Sequence, residues 1–318
     1  MKKILLTGCL GQIGSELVPH LRNIYGNDNV IATDIRRIEN SNVIEGGPFE
    51  VLDVLDGKAM AEIVKKHNCD SIIHLAALLS AVAEAKPTLA WEINMGGLFN
   101  ALEVARENNC SFFTPSSIGA FGPSTPKIKT PQDTIQRPAT MYGVTKVSGE
   151  LLCDYYYKKF GVDTRGVRFP GLISYVAEPG GGTTDYAVDI YYKALQEGTY
   201  NCYIKEGTYM DMMYMEDALN AIVNLMEADP SKLIHRNSFN ITAMSFEPSQ
   251  IAAEIKKHIK GFEMTYDVDP IRQGIADSWP DSIDDTCAKE EWGFKAKYDL
   301  SSMTEDMLLK LRNKLNII

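Results

Sequence analysis

Lys3-Ile4-Leu5-Leu6-Thr7-Gly8-Cys9-Leu10-Gly11-Gln12-Ile13-Gly14 is the stretch whose reading decides the fold. Residues 3–7 form a short apolar strand that runs into a turn with glycine at every third position, Gly8, Gly11 and Gly14. Residues 15–24 carry the apolar spacing of a helix, and residues 30–33 that of a second strand ending on Asp34. Glycines let a backbone turn tightly and approach a pyrophosphate closely, and the first turn of a helix offers that anion unpaired N–H groups. Asp34 falls about twenty residues past the turn, where a carboxylate accepts from both ribose hydroxyls of NAD and repels the 2′-phosphate of NADP. The spacing is GxxGxxG rather than GxGxxG, and Arg36 and Arg37 stand where they could hold a 2′-phosphate. The carboxylate weighs more, and NAD is the expected cofactor.

Outward from this unit the alternation repeats. Strands are predicted over 49–52, 70–75, 111–115 and 163–169, and helices over 56–67, 87–108 and 140–160. Apolar strands alternating with helices predict an α/β fold with a doubly wound parallel sheet of Rossmann type. Ligands then sit beyond the carboxyl ends of the strands. At those ends stand the Gly8 turn, Asp34, Asp53-Val54, Ala76-Ala77, Ser116-Ser117 and Pro170-Gly171. Helices at 186–196, 217–227, 249–260, 285–292 and 302–315, with strands at 238–242 and 263–268, predict a smaller C-terminal α/β lobe. The expected division is 1–171 for the nucleotide and 172–318 for the substrate, with segments interleaved across it.

Tyr142-Gly143-Val144-Thr145-Lys146 opens the 140–160 helix. Residues four apart share a helical face, so a phenol and an ammonium stand together. A free phenol titrates near ~10 and is a poor base at neutral pH. A cation at ~4 Å, at an effective dielectric of ~20, stabilises a phenolate by about 4 kcal/mol, enough to close that gap. The pair is a proton-abstracting device, and a hydroxyl of Ser116 or Ser117 can hold the oxygen of an alcohol as it becomes a ketone.

The Gly8–Gly14 turn, His74-Leu75-Ala76-Ala77, Ser116-Ser117 and Tyr142-to-Lys146 resemble the extended short-chain dehydrogenase/reductases, the group that includes NDP-sugar epimerases. The resemblance covers nearly the whole chain. It implies that Tyr142 is the acid/base, Lys146 its partner, Ser117 the catalytic serine with Ser116 beside it, and Asn94 an asparagine behind the site. Gly8, Gly11, Gln12, Ile13, Gly14, Asp34, Asp53, Val54, Ala76, Pro170 and Leu172, with Tyr142 and Lys146, are the expected NAD contacts. Within the group, residues 169–175, 179–188, 212–218 and 278–285 are similar to the short-chain type of L-threonine 3-dehydrogenase, above all the glycine-rich run ending in Thr183-Thr184-Asp185. That likeness implies oxidation of the threonine side-chain alcohol to 2-amino-3-oxobutanoate with NAD and without zinc.

A zwitterionic amino acid needs donors for its carboxylate and acceptors for its ammonium. Thr183, Thr184 and Asp185 open the 186–196 helix after Gly180 to Gly182, and the hydroxyls and free N–H groups there suit a carboxylate. Ser80 is a further donor, Ser116 and Tyr142 meet the reacting hydroxyl, and Asp185 is a candidate for the ammonium. Met210 stands where similar epimerases carry a phosphate-binding arginine, which lowers the standing of the alternative, a nucleotide-sugar epimerase or dehydratase. A non-catalytic NAD sensor would not need both Tyr142 and Lys146.

Composition bounds the rest. The 318 residues are 45% hydrophobic and 23% charged, with net charge −10, which argues against nucleic acid or an anionic membrane as partner. No run of about 18 apolar residues predicts a membrane span. No leader is read before the first strand, and six scattered cysteines without CxxC predict reduced thiols, so a cytoplasmic setting is expected. Five histidines without ligand spacing predict no metal. The resemblance implies a homodimer built through the helices at 87–108 and 140–160.

Overall fold

Runs of Ile, Leu, Val and Phe, buried on both sides, make the strands at the centre of the first unit. The structure, a computed structural model, describes residues 1–39, 41–180 and 182–317. Strands β1 (Ile4–Thr7), β2 (Val30–Asp34), β3 (Phe49–Val51), β4 (Ser71–His74) and β5 (Ser111–Phe113) are followed by a two-residue β6 (Ser116–Ser117), then β7 (Thr164–Arg165) and β8 (Val167–Phe169). The main sheet has the order β3-β2-β1-β4-β5-β7, and all its pairings are parallel. That is the expected doubly wound α/β sheet. Leu5, Ile31, Ile72 and Phe112 point to one face and join a core with residues of Gly57–His67, Gly97–Asn108 and Met141–Phe160. By strand alternation Ile4, Leu6, Ala32, Ile73 and Phe113 point to the other face and are equally buried.

Strand and helix limits follow local chemistry. The 111–115 strand pauses at Thr114-Pro115, where proline has no N–H to give a ladder, and resumes as β6. The 163–169 strand pauses at Gly166, where a Cβ would stand 2.7 Å from the Thr114 oxygen. Asp56 caps the helix Gly57–His67 by accepting from Ala59 N. The helix predicted over 87–108 is not continuous: Pro87–Trp91 and Gly97–Asn108 are separated by a π turn at Glu92–Gly96. The widened turn lies beside Gly96-Gly97, weak helix formers, and buries Asn94. A short helix, Ser80–Ala85, follows β4 and carries Ser80 at its start.

The chain forms two compact units. The first comprises Met1–Ala120, Thr140–Arg168 and Leu219–Phe239; the second comprises Phe121–Ala139, Phe169–Ala218 and Asn240–Ile318. The assignment changes at residue 169, and the segments Phe121–Ala139 and Leu219–Phe239 are exchanged across that point. In the first unit Arg165, buried, pairs with Asp163 and donates to the carbonyls of Leu225 (2.6 Å), Met226 (3.2 Å) and Ala228 (2.8 Å). These are end carbonyls of the helix Met215–Glu227 and the turn after it.

In the second unit Met210–Tyr214 pairs parallel with Gly171–Ile173 and antiparallel with Met244–Phe246. Met210, Met212 and Met213 are fully buried, so this segment is core strand. Asp211 lies among them. Its carboxylate accepts from Thr242 Oγ1 (2.9 Å) and Ile283 N (2.5 Å), and burial pushes it up to about 7. Tyr186–Gln196 is helical as predicted. Gly181, in the middle of the glycine run, lies outside the described residues, as do Asn40 and Ile318.

Candidate active site

The glycine turn is a cradle made by close backbone approach. Gly8 has φ +70°, and a Cβ there would stand 2.8 Å from Ala76 N, so the ends of β1 and β4 meet as only glycine permits. A Cβ on Gly14 would run into the Gly8 carbonyl oxygen. The helix Gln12–Tyr25 starts from Gly11, which brings no capping side chain. Its first internal bond is Ser15 N to Gly11 O at 2.9 Å, so Gln12, Ile13 and Gly14 carry the N–H groups that the helix leaves unpaired. Asp34, at the end of β2, is tied to this turn: Oδ2 accepts from Leu10 N (3.0 Å) and Oδ1 from Arg36 N (3.3 Å). Arg37 lies over the Phe49 ring at 5.5 Å. A cradle that side chains would fill, an uncapped helix start and a carboxylate one strand away fit NAD. Burial pushes the thiol of Cys9, inside the turn, up to about 12.

The helix Met141–Phe160 is started by Thr140, whose Oγ1 accepts from Gly143 N (3.1 Å), and by Glu84, which accepts from Met141 N (2.5 Å). These caps fix a register in which Tyr142, Lys146 and Glu150 share a face. Lys146 Nζ lies 5.4 Å from the Tyr142 ring centre and donates to Pro115 O at 2.7 Å. A Cβ on Gly119 would stand 3.2 Å from two carbons of the Tyr142 ring. Gly119 N donates to Ser117 Oγ at 3.1 Å, which leaves the Ser117 O–H proton for a further acceptor. The structure therefore brings Ser117, Tyr142 and Lys146 together at the end of β6.

Behind them lies a buried polar layer. Ser116 Oγ donates to Glu150 Oε1. Arg168, from β8, grips the same carboxylate with Nε at 3.0 Å and Nη2 at 2.8 Å, and both side chains are only 7% exposed. Asn94 exchanges bonds with Leu78 N (2.7 Å) and Leu78 O (3.1 Å) and donates to Thr145 Oγ1 (3.2 Å), which donates to Tyr142 O (2.8 Å). His74 shares a hydrogen bond with Thr7 Oγ1 at 2.9 Å, and its Nε2 has no partner among the described residues. Burial, and then the charge of Lys146, lower its pKa to about 3, so the ring is neutral. A cavity of about 30 Å³ lies here, lined by His74, Asn94, Ser116, Lys146 and Glu150, large enough for about one or two waters.

The remaining expected residues are dispersed. Asp53 is exposed after β3 and accepts from Leu55 N (2.9 Å), while Val54 is buried against Gly97. Ser80 starts its short helix and is half-buried. In the second unit Pro170 is buried and Leu172 pairs with Met213. Thr183–Asp185 forms a 3₁₀ turn with Thr183 buried. Asp185 Oδ2 accepts from Gly180 N (2.7 Å) and Gly182 N (2.8 Å), so one carboxylate oxygen is spent on the glycine run. Glu150, Arg168, Gly119 and the Pro115 carbonyl escaped the sequence reading. Only Glu150 left a signal there, as the next step of the four-residue spacing from Tyr142 and Lys146.

Residues 4–242 match the family described as the NAD dependent epimerase/dehydratase family. A relative from Staphylococcus saprophyticus, known as an uncharacterized epimerase/dehydratase, is 63% identical over 99% of this chain and 98% of its own. An L-threonine dehydrogenase structure from Clostridium difficile superposes with TM-score 0.98 at 67% identity, covering 99% of this chain and 98% of that one. The L-threonine dehydrogenase of Phytophthora infestans gives 0.95 at 49% identity, covering 98% of this chain and 100% of that one.

Proposed function

The chain belongs to the NAD-dependent epimerase/dehydratase family, and from that premise we propose that it oxidises the side-chain hydroxyl of L-threonine to L-2-amino-3-oxobutanoate. The observation that carries this reading is the likeness to solved L-threonine dehydrogenases along essentially the whole chain. The Ser117–Tyr142–Lys146 grouping supplies the chemistry it needs.

When bound, NAD supplies the acceptor for the hydride of the threonine β-carbon. Tyr142 takes the hydroxyl proton. The Lys146 ammonium, held by Pro115 O, sets positive charge beside the phenol and favours its anion. Ser117, its oxygen already occupied by Gly119 N, donates its proton to the reacting oxygen, a bond that strengthens as charge develops there. Gln12, Ile13 and Gly14 N–H groups hold pyrophosphate and Asp34 the adenosine ribose. Asp53, Val54, Ala76, Pro170 and Leu172 complete the nucleotide contacts. Ser80 and the hydroxyls of Thr183 and Thr184 bind the substrate carboxylate, and the remaining oxygen of Asp185 takes the ammonium. Residues 1–171 thus carry most of the nucleotide contacts, and 172–318 supply Thr183, Thr184 and Asp185 to the substrate.

The protein works in the cytoplasm, in keeping with six cysteines that are all free thiols. Among the described residues no helix is long and apolar enough to cross a membrane. It pairs as a homodimer through Met141–Phe160, whose Val144, Leu151 and Tyr155 expose an apolar stripe at a spacing of seven and four, with Phe99 also exposed. Sedimentation of Leu151→Glu against the parent chain tests this, and an unchanged mass would refute it.

NADH formation with L-threonine, beside D-threonine, L-allo-threonine, L-serine and a UDP-sugar, tests the substrate. Tyr142→Phe is expected to lower kcat by about 10²–10⁴-fold while NAD still binds. Near-normal turnover, or conversion of the sugar instead, would sink the reading.

A further inference from the structure

The two adjacent serines of β6 are not equivalent. Successive side chains of a strand point to opposite sides, and here Ser117 turns to Gly119 and the Tyr142 ring while Ser116 turns to Glu150 and is 6% exposed. The hydroxyl proton of Ser116 is committed to a carboxylate that Arg168 holds on both oxygens.

We infer that Ser116 touches no substrate and that Ser116 with Glu150 is a positioning device for the reacting residues. The inference rests on Ser117, Tyr142 and Lys146 being the catalytic set proposed above. One face of Met141–Phe160 reaches the Pro115–Ser117 tripeptide twice: Lys146 Nζ takes the carbonyl of Pro115, and Glu150 takes the hydroxyl of Ser116. The second tie holds the peptide on which the first depends. Arg168 makes the anchor stiff, because a buried carboxylate with a two-point guanidinium partner has little freedom to turn. The peptide so held fixes both the lysine beside the phenol and the serine that meets the substrate oxygen. The charged and titratable groups facing this assembly are Glu150 and Lys146 from the same helix, Arg168 from β8, neutral His74 from β4 and Glu84 at the helix start.

The test is steady-state kinetics of Ser116→Ala, Ser116→Thr and Ser117→Ala across pH, with Tyr142→Phe run in parallel. Ser116→Ala is expected to lose roughly tenfold in kcat, since a displacement of about an ångström behind the chemistry is enough, with KM for L-threonine and NAD affinity within about twofold. The acid limb of its kcat profile is expected to move to higher pH, as the ammonium drifts from the phenol. A fold merely weakened would leave that limb in place. Ser116→Thr, which keeps the hydroxyl, restores both. Glu150→Gln should reproduce the shift. It strands the buried Arg168 charge, so the serine variants carry the decision if it fails to fold. A raised KM for L-threonine at constant kcat would make Ser116 a substrate contact, and an unmoved acid limb or a loss as deep as that of Ser117→Ala would equally overturn the inference. Activity surviving in Tyr142→Phe would instead mean that the catalytic set itself is wrong.

Discussion

Asp34 is the residue we propose to decide, with a single carboxylate, between NAD and NADP. It is bonded to Leu10 N and Arg36 N, so it is already aimed before any ribose arrives. Asp34→Ser removes the carboxylate and with it the charge-assisted bonds to the ribose, each worth about 1.5–3 kcal/mol. With Arg36 and Arg37 in place, kcat/KM for NAD should fall about tenfold or more while that for NADP rises, and an unaltered NAD-to-NADP ratio would remove Asp34 from this role. These residues were legible because each depends on a fixed spacing along the chain: Gly8 on its strand, Asp34 on its distance from the turn, Lys146 on Tyr142. Glu150 and Arg168 were not, because one helix and one remote strand must meet before either has a meaning. Asp185 was half legible: its place at a helix start could be read, but not that its Oδ2 is bound by Gly180 N and Gly182 N.

Among the elements, the π turn at Glu92–Gly96 is the most consequential departure from expectation. The apolar spacing of 87–108 continues straight through it, so periodicity predicts one helix. The turn is required by what Asn94 does, pairing with both main-chain groups of Leu78 and linking them to Thr145. Asn94→Ala is expected to leave those groups unpaired at about 1–3 kcal/mol each. The urea midpoint should fall accordingly, and kcat with it, because the Leu78 segment follows Ala76-Ala77 and Thr145 bonds the carbonyl of Tyr142. Unchanged stability would mean that water replaces the asparagine at no cost. The strand interruptions at Pro115 and Gly166 have a plainer origin, a missing N–H in one and a missing Cβ in the other, and both residues were visible in the sequence.

For the molecule as a whole, two buried groups, one in each unit, set opposite dependences on pH. His74, lowered to about 3, stays neutral when folded, whereas the unfolded chain takes a proton below ~6.5. Its contribution to stability is therefore complete above ~6.5 and is lost between there and about 3, by up to about 1.4 kcal/mol per unit. Asp211, raised to about 7, keeps a proton that the unfolded chain gives up near ~3.9. Its contribution is complete at low pH and is lost as pH rises through about 7. Across the overlap the two nearly cancel. Unfolding midpoints against pH should show His74→Gln flattening the acid side. Asp211→Asn, which still accepts from Ile283 N and can donate to Thr242, should raise stability at pH above about 7; a variant less stable than the parent there would contradict the assignment. The sequence suggested a boundary near residue 171 and interleaving, but not which segments cross, since the strand read at 238–242, Phe239–Asn240 in the structure, carries nothing to say that the units divide inside it. The bonds from Arg165 to Leu225, Met226 and Ala228 give that crossing a consequence in time. A ribosome completes Arg165 well before it makes these carbonyls, and the whole of Phe169–Ala218 must be translated in between. Until then a guanidinium destined for burial lacks these three carbonyls, so the first unit cannot complete its packing as it emerges.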